Sequence, residues 1–231
     1  MVKQAEALPR SDHFAAAFAF AAMPARAALE QDDWDRAKGL ELSPTAADFP
    51  WAKYPHAEAI NAFARGVGAA LAGDGEAARA EQARLKVLSE ATGPAYWVEQ
   101  VDIQADIVAD LALCAEDHAE GCVEALRGAA AREDATEKHV VTPGPILPAR
   151  EILADILLEQ DRPEEALAEY EAVLDKEPNR YRALAGAAKA AQEAGETEKA
   201  RAHAQHLIEQ VGAAESKRPS LDLARSIADA G

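Results

Sequence analysis

Several things are scarce in this 231-residue chain, and each scarcity closes off a class of protein. Aromatic residues make up only 5 %, and there are two methionines and two cysteines. Two cysteines do not make a disulfide framework. Cys114 and Cys122 read instead as small buried residues of one helical hairpin. No stretch approaches the roughly 20 apolar residues of a membrane-spanning helix. The apolar run His13–Met23 follows Ser11-Asp12, a poor basic flank for a signal peptide, and reads as a buried helix. That favours the cytoplasm, and leaves the periplasm open if a leader was removed. Basic residues are in deficit: 24 Lys and Arg face 41 Asp and Glu, a formal charge of −17. Nucleic acids and anionic membranes demand the opposite sign. An acidic surface suits a basic peptide partner, plain solubility, or a saline or acidic habitat. A Gly-rich phosphate loop, a serine-nucleophile elbow and a zinc-protease helix motif are all missing. A catalytic cysteine would need a base and an oxyanion donor, to which nothing points. The chain reads as neither an enzyme nor a cofactor carrier.

What is present is helical. Alanine and glutamate dominate, and β-branched runs are few. The clearest stretch is Ile146–Pro178. Ile146, Leu153, Ile156 and Leu157 recur at helical spacing, Gln160-Asp-Arg-Pro163 breaks the pattern, and Ala166, Leu167, Tyr170, Val173 and Leu174 restart it. Pro163 suits a first helical turn, where its missing N–H costs nothing. Small Ala154 and Ala166 let two helices approach while Tyr170 fills the space beside them. One such hairpin cannot bury its apolar face alone, so it needs neighbours.

With Leu147 as position one, Leu153, Ala154, Leu157, Ala166, Tyr170 and Pro178 fall where a tetratricopeptide repeat (TPR) carries its signature residues. The stretch resembles that family, in a bacterial-type form. The resemblance implies an all-α, right-handed α-solenoid of TPR-like helical hairpins, closed by a C-terminal capping helix. Tyr181 follows Leu147 by 34 residues, which puts a second hairpin, about 180–211, in register. Weaker hairpins read at about 11–42, 56–90 and 94–132, with that at 146–177 between, and a cap at 219–230. Together they form a single array over 1–231.

Along the chain, Met1–Arg10 reads as a lead-in and Ser11 or Asp12 as a helix cap. Pro24 should kink the first helix unless the helix begins there. Ser43–Pro55 reads as an irregular connection packing aromatics, and Gly66 and Gly68 as points of close helix approach. Ile103 and Leu147 are 44 residues apart, so an insertion over 131–145 should lengthen a helix and then form a loop.

In TPR arrays the first helix of each hairpin lines a concave groove that holds a peptide or a helix. Carried over by repeat position, that groove would expose Arg26, Glu30, Ile60, Phe63, Val67, Gln104, Ile107, Glu151, Asp155, Glu159, Arg182 and Lys189. The resemblance thus implies a scaffold binding a protein or peptide segment, unless the chain's own loops or another part of a larger assembly fill the groove. Asn61 and Asn179 fall on no position of the carboxylate-clamp TPR class, so a chaperone C-terminus is not the expected partner. A different reading starts from Glu133, Asp134, Glu137 and His139, which put three carboxylates and an imidazole within seven residues. Such groups can hold zinc or a hard cation, with Asp12 and His13 joining if the chain returns there. A solvated charge cluster at a helix end is the plainer alternative. His203 and His206, three apart on one helix, lack a visible third ligand.

Overall fold

The computed structural model describes residues 12–116, 119–137, 145–213 and 218–229. Those residues form α-helices joined by turns, with one short 3-10 turn, and divide into two compact units, residues 1–147 and 148–231.

In the first unit, α1 is Phe14–Leu29, α2 Trp34–Lys38, α3 Pro55–Leu71, α4 Gly75–Ala91, α5 Ala95–Ala115 and α6 Ala119–Asp134. Each helix packs on the next, and the first helices of successive hairpins, α1, α3 and α5, also pack on one another. That neighbour-to-neighbour pattern is the stacking of helical repeats. The predicted small-residue contacts are real. A Cβ on Gly68 would lie 2.5 Å from the Lys38 amide nitrogen, and one on Gly66 would lie 2.6 Å from Val108 Cγ1. Asp74 caps α4 by accepting from the Ala77 N–H at 3.0 Å, and Gly73 supplies the positive φ of +80° that the preceding turn requires.

Details of this unit depart from the sequence reading. The N-cap of α1 is His13, whose Nδ1 accepts from the Ala15 N–H at 3.1 Å. Asp12 instead pairs with Lys53 and accepts from the Tyr54 hydroxyl at 3.0 Å; Ser11 lies outside the described residues. The helix runs continuously through Pro24. Cys114 and Cys122 are joined by a disulfide across the α5–α6 turn, with Cα atoms 5.3 Å apart. Reading them as separate buried residues missed this, because sequence spacing cannot say that two helix ends face each other. The connection before α3 buries Phe49 and Trp51 as expected, and the Trp51 indole N–H donates to the Pro44 carbonyl at 2.8 Å.

In the second unit, α7 is Ala149–Glu159, α8 Pro163–Lys176, α9 Tyr181–Glu193, α10 Thr197–Val211 and α11 Pro219–Asp229. Pro163 occupies the first turn of α8 and Gly195 the turn before α10, at φ +77°. Helix α7 starts after Pro148, not at Ile146, because the residue before a proline is pushed out of the helical region. Ile146 and Leu147 are nonetheless buried. Ala154, Ala166 and Tyr170 are core residues, as the hairpin pattern requires. Tyr170 fits only because position 186 is glycine: a Cβ there would collide with its ring. Helix α11 buries Leu221, Ala224 and Ile227 against α9 and α10 and covers the end of the stack.

Candidate functional site

The groove positions carried over from the resemblance end up in three different environments. On α3, Phe63 and Val67 are 2 % and 0 % exposed, and Ile60 and, on α5, Ile107 are buried with them. Their place on an open groove is therefore corrected: they are core. Apolar side chains on the inner face of closely stacked first helices gain more from mutual burial than from facing water. Arg26 is half-buried in the last turn of α1, where a cation complements the helix's carbonyl end. Gln104, on α5, is also half-buried, and its Oε1 has no hydrogen-bond partner among the described residues.

In the second unit the charged positions converge. Glu151, in the first turn of α7, is fully buried. Its Oε2 accepts from Arg180 Nε at 2.5 Å, and its Oε1 from Arg180 Nη2 at 3.1 Å and Arg182 Nε at 2.8 Å. Arg182 Nη2 reaches on to Asp155 Oδ2 at 2.5 Å, and the Tyr170 hydroxyl donates to Asp155 Oδ1 at 2.5 Å. Two carboxylates one helical turn apart thus meet two guanidiniums, and the fork geometry of arginine saturates the oxygens. Beside them, Arg150 pairs with the buried Glu169. Burial, reinforced by the Glu151 charge, pushes Asp155 well above the usual carboxylate range, against the pull of the Tyr170 hydrogen bond. Burial and the Asp155 carboxylate together hold Tyr170 in its protonated form. Beyond this network the face is open: Lys189 is exposed, lies 3.7 Å from Glu193, and exerts its charge on the exposed Glu159 at the end of α7.

Arg180, which belongs to the network and precedes α9, was not legible in advance. A lone arginine before a helix start reads as a solvated cation, and only the fold shows a buried carboxylate opposite it. The metal alternative is not tested by the described residues. His139 lies outside the described residues, Asp12 is engaged by Lys53, and among the described residues no three His, Cys, Asp or Glu side chains come together as a metal site. His203 lies 3.5 Å from Glu171, and His206 bonds Asn179 at 3.1 Å.

Residues 157–218 match the family model described as tetratricopeptide repeat, a span running from the end of α7 to the residue before α11. No curated protein matches the chain.

Proposed function

We propose that this chain, whose residues 157–218 match the tetratricopeptide repeat family model, is a scaffold that holds a segment of a protein partner along the shared face of α7 and α9. The observation that carries this reading is the Glu151–Arg180–Arg182–Asp155 network. It immobilises the two first helices relative to each other before any partner arrives, and preorganisation of this kind lowers the entropic cost of binding. Glu159 and Lys189 are exposed at the outer part of that face, in a position to meet the partner's charges. The overall charge of −17 favours a segment carrying lysine or arginine.

The test is an immobilised library of ten-residue peptides of mixed sequence, with retained peptides titrated in solution. Reversing Arg182 would bury an unpaired charge, so the informative variant reverses the exposed pair, Glu159→Lys with Lys189→Glu. A weakened affinity with unchanged circular dichroism supports the reading. Unchanged affinity for every retained peptide moves the interface elsewhere.

A further inference from the structure

Aromatic side chains are rare in this protein, yet the first unit uses them in two distinct ways. Phe20, Phe49 and Trp51 are buried and form ordinary core. Phe14, Tyr96 and Trp97 are only half-buried, and they gather with the half-buried His56 where α1, α3 and α5 begin. Between ring centroids His56 lies 4.9 Å from Trp97 and 5.5 Å from Phe14, at interplanar angles of 21° and 29°. Phe14 and Trp97 close the triangle at 5.7 Å, and Tyr96 meets Trp97 edge-on at 4.9 Å. Phe14 is the first residue of α1, His56 the second of α3 and Trp97 the third of α5. The stack therefore ties together the starts of three helices.

Everything about this position works against a proton on His56. Its Nε2 is buried and has no hydrogen-bond partner among the described residues. An imidazolium donates from both ring nitrogens, so the charged form would bury an unpaired N–H. The flanking rings do not accept it, because the N–H lies in the imidazole plane and the Trp97 and Phe14 rings are nearly parallel to that plane. Each helix start also carries the positive end of a helix dipole, which repels a cation. The charged groups flanking the stack are committed elsewhere: Asp12 to Lys53 and the Tyr54 hydroxyl, Glu58 of α3 to Arg84, and Glu99 of α5 to Arg132. His13 caps α1 by accepting from the Ala15 N–H through Nδ1, and a proton on that atom would remove the cap as well. Burial accordingly holds His56 below its ordinary pKa of 6.5.

We propose that His56 is a pH-sensitive latch on the first hairpin: neutral, it completes the ring stack, and protonated in mildly acidic solution it releases the start of α1 and exposes Phe14 and Trp97. A released His56 takes up its proton at the ordinary value. The stability contributed by the neutral ring is therefore complete above pH 6.5 and declines as pH falls below it. The rest of α1 stays anchored, since Ala17, Ala21, Ala25, Ala28 and Leu29 are buried and Phe20 packs edge-on against Phe49. Release is thus confined to the start of the helix. The latch involves no residue of the α7–α9 face and operates whether or not that face binds a partner.

The test is an NMR titration of the full chain from about pH 8 to about pH 4.5, with His56→Phe as the control, because it keeps a stacking ring and takes no proton. In wild type the His56 ring protons should titrate with a midpoint below 6.5. The Trp97 indole N–H resonance should shift with the same midpoint and become more strongly relaxed by a water-soluble paramagnetic chelate. In His56→Phe both Trp97 readouts should stay constant. Denaturant titrations of the two proteins supply the second measurement. The ratio of their folding constants, wild type over variant, should fall by about tenfold for each pH unit that separates the folded midpoint from 6.5. The other titratable groups are common to both proteins and cancel in that ratio. A His56 midpoint at or above 6.5, or a ratio independent of pH, overturns the latch. So does a low midpoint without greater exposure of Trp97, or a Trp97 response that persists in His56→Phe. If the variant does not fold, the wild-type titration decides alone.

Discussion

Arg180 lies directly against Glu151: two of its nitrogens reach the two carboxylate oxygens at 2.5 and 3.1 Å, and the carboxylate is shielded from water. A buried ion pair of this kind contributes little net stability over an apolar pair of the same shape, but breaking one side of it strands a charge. Arg180→Met alone should therefore destabilise the second unit by about 3–5 kcal/mol. Adding Glu151→Met should recover much of the loss, although Arg182 then loses one of its two carboxylate partners. Urea denaturation of the single and double variants measures both. A single variant within 1 kcal/mol of wild type, on the scale of exposed pairs, would mean that water reaches Glu151.

Two glycines in helices of the first unit predict opposite signs. Gly128 sits inside α6 with open space around a would-be Cβ, so Gly128→Ala should stabilise by roughly 0.5–1 kcal/mol through helix propensity. Gly68 faces the backbone of α2, where nothing can yield. Gly68→Ala must push two helices apart, and a cost of about 1–3 kcal/mol is expected. Thermal melts of both variants decide it, and equal shifts would show that the α2–α3 contact is looser than described.

Asp110, on α5, carries a pH signature. Burial, with the like charge of Asp106 adding to it, raises its pKa from 3.8 to about 7. Asp106 itself is neutralised by Arg132 and Lys86. Because the folded value lies above the unfolded one, the native state holds the extra proton between about pH 4 and pH 7. Stability from this group is therefore full at low pH and declines as pH rises through that window. Asp110→Asn mimics the protonated form. It should match wild type near pH 4 and exceed it at pH 8 by on the order of a few kcal/mol. Denaturant titrations at pH 4.5, 6 and 8 check this, and a difference independent of pH would place Asp110 in water.

Much of the fold was legible because helical periodicity and helix stops are local. Ile146–Pro178 announces two helices through its apolar spacing and Pro163, and the structure places them at Ala149–Glu159 and Pro163–Lys176. Gly66 and Gly68 announced close approach because glycine in a helix costs stability that only packing repays. The candidate site was legible in part. Glu151, Asp155 and Arg182 were singled out by repeat position, and they meet in an ion-pair network whose Glu151 is buried and whose Asp155 is partly exposed. Phe63 and Val67 were singled out by the same rule and are core.

What the sequence alone determined is the inventory of helices, their order and the small residues that let them touch, since each follows from spacing within about 30 residues of chain. Only the tertiary structure decided which side chains share an environment. Arg180 and Glu151 are separated by 29 residues, and His56 and Trp97 by 41. Nothing in either local pattern specifies the other. Their pairing comes from the way successive first helices stack, and burial then turns an ordinary arginine into a structural counter-ion.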